Sequence, residues 1–395
     1  MEKQNGQIKK LNIAMICDPI GDYKAGAIVS AVRFAKLLQE RGHNVVFIGA
    51  KSAEHRGHNE FQGMKAYRFR SIPLPRSGGW QLAFPTVGEI KKVLREEHID
   101  VAHVILPMSG ALMAIKAAKS LGIKIVAHSH SQPENLFMDA PKFSRPVLDR
   151  MWNAYLAWIY SKAESIIYPS EMAFGLLDHL TAEGKPSTVI SNGVNTERYK
   201  PIDVGDFHAR FNIPTDTVNL FYVGRLFPEK SLDTLVKAVP AIIAGHPKTH
   251  VIIAGHGYML PKLQRLVEKL EVGTHVTFIS PISDEDKIIA YNASDIFVSP
   301  SFAELEGMTV LEAMACGKPV IVPNAEMNAA RHFVQDNGLL FATANAEDLA
   351  KQALKLITDV DLRRKMGDES LAKSKEYDIH RSVEKLEHVY HSALK

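Results

Sequence analysis

Short runs of apolar residues alternate along the chain with segments whose apolar positions recur every three or four residues. Strands buried on both faces read as continuous apolar runs, so this alternation predicts parallel strands separated by covering helices. In the first half it predicts a strand over Asn12–Cys17, a helix over Gly26–Glu40 stopped by Gly42, and a strand over Asn44–Ile48. Further strands are expected over Ile99–Ile105, Ile123–Ala127 and Ser165–Tyr168, with helices over Val87–Glu97, Ala111–Leu121 and Val147–Lys162. Together these make one doubly wound unit.

The pattern pauses at Ser191-Asn192-Gly193-Val194-Asn195, and a polar, Pro-containing stretch from Tyr199 to Asp206 precedes the next strand, Leu220–Val223. A junction is expected there, with one domain over residues 1–195 and a second over 196–377. The second repeats the scheme, with strands near His250–Ala254, His275–Ile279, Asp295–Ser299 and Pro319–Val322. The last segment, Ile379–Leu394, is amphipathic. It reads equally as a brace returning to the first domain and as the terminal helix of the second.

A length of 395 residues fits two domains, and a chain 46% hydrophobic and 23% charged has enough apolar surface to build both cores. The net charge of +3 is too small over this length to argue for a nucleic-acid partner. Cys17 and Cys316 lie far apart, which speaks against a disulfide framework and for a reducing, cytoplasmic setting. The apolar run from Leu11 to Cys17 has no small-residue cleavage site after it and reads as a strand, and no uninterrupted apolar stretch is long enough to span a membrane.

The most informative stretch runs from Ser299 to Val320. It reads as a strand end, a loop carrying Glu304, a glycine, Gly307, that opens a helix, and Glu312 inside that helix. The unpaired N–H groups around Gly307, Met308 and Thr309, with the positive end of the helix dipole, suit a diphosphate. The plain alternative makes Glu306 and Glu312 solvent-facing and Glu304 a capping carboxylate. A second constellation, Tyr222-Val-Gly224-Arg225-Leu-Phe-Pro-Glu229-Lys230-Ser231, follows a strand and precedes a helix, where open α/β sheets bind ligands. Arg225 offers a fork and Lys230 a point charge to phosphate oxygens, and Gly224 permits close backbone approach. A solvated turn is the alternative. Gly255-His-Gly257 ends a further strand but lacks the third glycine of the dinucleotide fingerprint.

In the first domain, His128-Ser-His130 ends the strand from Ile123, followed by Gln132, Glu134 and Asn135. Residues two apart share a strand face, so both imidazoles are expected on one side. No third metal ligand stands at a recognisable spacing, which favours core or surface histidines over a metal pair. Asp284-Glu-Asp286 and Asp359-Val-Asp361 resemble metal-nucleotide motifs, but each stands at a helix start, where Ser283 with Asp286 reads as a capping box. No Walker loop is present.

On these residues the chain resembles glycosyltransferase family 4, with the match running along nearly its whole length. The resemblance is carried by Gly26 on the first loop, Gly42-His43-Asn44-Val45, Ser191-Asn-Gly-Val-Asn195 with Tyr199, Gly224-Arg225-Leu226 with Glu229-Lys230, and a Glu-x7-Glu signature at Glu304 and Glu312. It implies an α/β chain of the GT-B fold: two Rossmann-like, doubly wound domains facing across a cleft. It also implies Arg225 and Lys230 on a donor diphosphate, Glu304 on the donor sugar, Glu312 on the ribose, and His130, not His128, near the reacting sugar and acceptor. The family's Gly-Gly is Gly26-Ala27 here, its Phe-Gly is Glu306-Gly307, and its glycine-rich loop after Pro323 reads Asn324-Ala-Glu326-Met-Asn.

The activity implied is retaining transfer of a sugar from a UDP- or GDP-sugar to a sugar, lipid or glycan hydroxyl, without a metal or other cofactor. The rival is a non-catalytic nucleotide-sugar-binding subunit, which has no chemical need for both glutamates, the cation pair and His130 together. Pro73 to Trp80, the aromatic-rich Met151–Tyr160 and nearby Lys65, Arg68, Arg70 and Arg76 form a candidate rim for peripheral membrane contact. A core helix and an ordinary loop explain the same residues.

Overall fold

The computed structural model describes all residues except 1–2, 5–6, 21–25, 52–59, 74–79, 131–140, 142 and 182–183. The chain divides into two compact units, Met1–Asn192 with His380–Lys395, and Gly193–Ile379.

The first unit is built on an eight-stranded sheet. Its strands are β1 Asn12–Ile16, β2 Asn44–Ala50, β3 Glu60–Phe61, β4 Met64–Phe69, β5 Val101–Val104, β6 Lys124–His128, β7 Ser165–Tyr168 and β8 Ser187–Val189. The spatial order is β8, β7, β6, β5, β1, β2, β4, β3, with antiparallel pairing at β3 and β4 and parallel pairing elsewhere. Helices α1 Gly26–Glu40, α2 Val87–Glu96, α3 Ser109–Leu121 and α4 Arg145–Lys162 connect them. Strand order reverses between β1 and β5. There Asp18, wholly buried, caps α3 from outside the helix: its Oδ2 accepts from Gly110 N at 2.9 Å, Ser109 Oγ at 3.0 Å and Ala83 N at 3.0 Å.

The second unit has a six-stranded, all-parallel sheet of β9 Val218–Val223, β10 Thr249–Ala254, β11 Val276–Ile279, β12 Ile296–Val298, β13 Val320–Pro323 and β14 Gly338–Phe341. The order is β11, β10, β9, β12, β13, β14. Alternate residues of one strand feed opposite faces, as the pleat requires. Phe221 and Val223 join a core with Val310, Leu311 and Met314, whereas Leu220 and Tyr222 join another with Leu235, Val239, Leu349 and Leu356. The longer helices here are α5 Leu232–Gly245, α6 Leu260–Lys269, α7 Asp284–Ala293, α8 Met308–Ala315, α9 Ala346–Thr358 and α10 Val360–Ser374. Both Asp-x-Asp stretches do stand at helix starts. Ser283 Oγ caps Asp286 N at 3.0 Å, and the Asp359 carboxylate caps Leu362 N at 2.9 Å.

The C-terminal helix, Ile379–Ala393, returns to the first unit after the linker segments pair side by side, with Ile379 N donating to Val194 O at 3.0 Å. Its Glu387 is buried and accepts from Arg41 Nε at 3.0 Å and His43 Nε2 at 2.8 Å. His43 Nδ1 accepts from Leu11 N at 3.1 Å, which fixes the neutral tautomer with its proton on Nε2. Burial raises the Glu387 pKa, but the bonds from His43 and Arg41 outweigh it and bring the carboxyl down to about 2. A depressed carboxylate stabilises the folded state above the unfolded pKa and loses that contribution as pH falls towards the folded one. Glu387→Gln is therefore expected to cost ~1.5–3 kcal/mol at neutral pH, the range for hydrogen bonds to a charged group. The difference from the parent should shrink as pH falls from the ordinary carboxylate range towards 2, measured as denaturation midpoints; a pH-independent difference would contradict the assignment.

Candidate functional site

In the second unit strand order reverses between β9 and β12, because β10 and β11 stack on one side of β9 and the chain then returns to its other side. The carboxyl-end loops of two adjacent strands consequently leave in opposite directions, and an open α/β sheet offers its ligand crevice at such a point. Both sequence constellations of this unit fall there.

After β9, Gly224 and Arg225 lead into a single 3₁₀ turn, Pro228–Lys230. Ser231 adopts the left-handed conformation (φ 48°) and starts α5. Tyr222 Oη donates to Arg225 O at 3.0 Å and Phe302 N to Glu229 O at 3.1 Å, so the loop is tied to its own strand and to the loop after β12. The Arg225 guanidinium lies over the Phe227 ring at 4.8 Å and donates through Nη2 to Glu229 Oε1 at 3.0 Å. Lys230 Nζ meets Glu304 Oε1 at 2.5 Å, with both side chains mostly buried. Each cation expected on phosphate thus has a carboxylate partner. Burial and the neighbouring Glu304 and Glu229 carboxylates raise the Tyr222 pKa, which keeps its hydroxyl neutral.

Glu304 is held by its backbone. Its N donates to Met327 O at 2.9 Å and its O accepts from Ala329 N at 2.9 Å, a short parallel bridge to the Asn328 segment. Buried Asn328 secures that segment by donating to Ser301 O at 2.6 Å and accepting from Ala330 N at 2.9 Å. Gly307 (φ 100°) is the residue before α8, and a Cβ there would come 2.6 Å from the Ala330 Cβ, so glycine is required at this entry. The first N–H groups of α8, at Met308 and Thr309, have no intrahelical partner. Glu312 is buried and accepts from Tyr291 Oη at 2.9 Å, with Lys287 Nζ at 3.3 Å. The plain alternatives fail on both counts: Glu306 and Glu312 are buried, not solvent-facing, and Glu304 pairs with Lys230 instead of capping α8.

The Gly255-x-Gly257 loop lies against the Gly224–Leu226 backbone. A Cβ on Gly255 would fall 1.9 Å from Gly224 O and one on Gly257 2.3 Å from Leu226 O, while Leu226 N donates to His256 O at 2.8 Å. Loop-against-loop packing is the direct reason for these two glycines. Glu229, Tyr291, Lys287 and Asn328 orient the site residues and were not assigned a role from the sequence. Only Glu229 carried a signal there, an opposite charge four residues after Arg225.

In the first unit Gly26 is the first residue of α1. His130 is half-buried with its Nε2 buried, and burial pushes its pKa down to about 3. His128 shares its side of the sheet, as the spacing predicts, but its ring is buried in the core rather than open to a cleft. Gln132, Glu134, Asn135 and Arg76 lie outside the described residues. Of the basic rim, Lys65 pairs with Glu97, and Arg68 donates to Ile20 O and Glu60 O. Within Met151–Tyr160, Leu156, Ile159 and Tyr160 are buried and Met151 is exposed. Among the described residues no three His, Cys, Asp or Glu side chains cluster to hold a metal ion.

Two family models match the chain: Glycosyltransferase Family 4 over residues 25–198 and Glycosyl transferases group 1 over residues 203–372. The chain is 28% identical over 355 residues to the GDP-mannose-dependent monoacylated alpha-(1-6)-phosphatidylinositol monomannoside mannosyltransferase of Corynebacterium glutamicum, covering 87% of this chain and 88% of that one. Among solved structures it is similar to sucrose-phosphate synthase from Thermosynechococcus elongatus (TM-score 0.81, 20% identity, 96% and 98% of the two chains). It is also similar to Anabaena HepE in complex with UDP-glucose (TM-score 0.77, 19% identity, 97% and 100%). These structures share its GT-B fold.

If the Gly255 loop packs as described, Gly255→Ala must push the Gly224 loop away. A loss of ~1–3 kcal/mol in the stability of the second unit is expected, the scale of forced backbone strain. A denaturation midpoint equal to the parent's would show that the loops tolerate separation.

Proposed function

Since the chain belongs to glycosyltransferase family 4, we propose that it transfers a sugar from a UDP- or GDP-sugar to an acceptor hydroxyl with retention at the anomeric carbon. The observation that carries this reading is the meeting of Lys230, Glu304 and the α8 N-terminus at the β9/β12 reversal. A diphosphate entering there competes with Glu304 for Lys230. Lys230 and the Met308 and Thr309 N–H groups take the phosphate charge, and the Glu304 carboxylate turns to the sugar hydroxyls. Arg225, over the Phe227 ring, adds a second cation, and Glu312 serves the ribose.

Retention follows when the acceptor attacks the face from which the diphosphate departs. The anomeric carbon–phosphate oxygen bond breaks, the bond to the acceptor oxygen forms on the same face, and the acceptor's proton passes to a β-phosphate oxygen. No protein nucleophile is required; burial pushes the Cys316 thiol up to about 12, far from thiolate chemistry. His130, kept neutral by burial, serves the reacting sugar and acceptor as a hydrogen-bonding group. With two cations and a helix N-terminus available to the leaving group, transfer is proposed to need no metal.

The acceptor is proposed to be a glycolipid or glycan, supported by the phosphatidylinositol mannoside in the name of the Corynebacterium relative. The donor class is supported by that relative's GDP-mannose and by the UDP-glucose bound to HepE. Among the described residues no helix is long and apolar enough to cross a membrane. An exposed apolar row, Phe143 ahead of α4 and Val147 and Met151 on it, stands beside Arg150 and supports peripheral membrane contact, proposed here for a cytoplasmic protein.

One assay set tests the reading. Glu304→Ala should lower turnover ~10²-fold or more, the scale of losing one positioned electrostatic partner. The same variant should bind UDP or GDP at least as tightly as the parent, because Lys230 is released, and chelator should leave parent turnover intact. Near-parent turnover in folded Glu304→Ala, or activity abolished by chelator and restored by magnesium, would overturn the roles given to these groups.

A further inference from the structure

Three imidazoles form a column at the end of β6. His103 lies on β5, His128 ends β6 and His130 follows two residues later. The parallel register sets Val126 beside His103, so all three rings project from one face of the sheet. His103 and His128 stack with centroids 5.6 Å apart and planes 7° from parallel; His128 and His130 stack at 3.9 Å and 23°. Phe34 of α1 lies against His128 at 6.2 Å and 22°. At the far end Tyr390 of the C-terminal helix holds His103, with its hydroxyl 2.7 Å from His103 Nδ1 and its ring edge-on at 5.6 Å.

Packing alone explains this column poorly. Both ring nitrogens of His128, Nε2 of His103 and Nε2 of His130 are buried and have no hydrogen-bond partner among the described residues. A neutral imidazole still carries one N–H, and leaving a buried polar group unpaired carries a desolvation cost that an apolar side chain would not incur. Such local conflicts persist mainly at functional positions. The column's exit is His130, the residue of this unit given a part in the reaction.

We propose that His128, backed by His103 and Tyr390, is a positioning residue for His130: its ring face sets the plane of the His130 imidazole and hence the direction in which His130 makes hydrogen bonds during transfer. The inference rests on the role given to His130 above. Stacking at this separation favours near-parallel rings, and the Tyr390 hydroxyl fixes the last ring against rotation.

The test compares His128→Ala, His128→Leu, His128→Phe and His130→Ala in steady-state transfer, with thermal midpoints confirming the fold. His128→Ala should lower kcat ~10–100-fold, the cost of a misplaced reacting group, with KM for the nucleotide sugar within about twofold. His128→Leu, which fills the volume without a flat face, should lose kcat alike and stands in if the alanine variant does not fold. His128→Phe restores a flat ring and should recover kcat to within about threefold of the parent. Parent-like kcat in folded His128→Ala or His128→Leu, or folded His128→Phe as slow as His128→Leu, would overturn the positioning role. If His130→Ala itself turns over normally, the reading of His130 has failed; if it is inactive while His128→Leu is not, only the column has.

Discussion

The reversal of strand order at β9 and β12 is the constraint on which the candidate donor site depends. Parallel strands leave the sheet at the same edge, and a reversal sends two neighbouring loops apart, so a ligand can sit on backbone and side chains from both. Here the gap is spanned by one ion pair, Lys230 to Glu304. Backbone features on both sides place its two partners. Pro228 and left-handed Ser231 turn the chain so that Lys230 faces across, and the Glu304 backbone is pinned to the Asn328 segment.

Each cation proposed for the phosphates is paired with a carboxylate before any ligand arrives. Arg225 faces Glu229 and Lys230 faces Glu304, so the four groups sum to zero. Under the proposed function, the attraction for a diphosphate would come from exchange: the anion would replace a carboxylate on Lys230 and leave that carboxylate available to a sugar. The N–H groups of α8 bring positive potential, and Gly307, the residue before the helix, has no side chain to cap them. Diphosphate arrival would then be coupled to the freeing of Glu304, as the proposed transfer from a nucleotide sugar requires.

Much of this was legible in the amino-acid sequence. The buried parallel strands announced themselves as unbroken apolar runs, Leu220–Val223 among them, and Gly42 and the Ser283 cap marked helix ends. Other strands escaped. Met64-Lys-Ala-Tyr-Arg-Phe alternates like an edge strand but its Lys65 and Arg68 stand out first as basic residues, while Ser187–Val189 and Gly338–Phe341 are too short to declare a period. In the site, the motif residues were visible, but not that each cation pairs with a carboxylate. Contacts between residues distant in sequence left no local trace: nothing near His103 points to Tyr390, and nothing near His43 points to Glu387. Glu312 read equally as a surface residue until Tyr291 and Lys287, from another helix, were seen to bury it.

The most direct test of the central claim is thermal unfolding of the parent and of Lys230→Ala across a panel of UDP- and GDP-sugars. A ligand that binds the native state raises the midpoint by mass action, so the parent should be stabilised by at least one donor. In Lys230→Ala that same donor should give little or no shift at equal concentration. Equal stabilisation of the two proteins would show that the diphosphate does not rest on Lys230 and that the donor site lies elsewhere than the β9/β12 reversal.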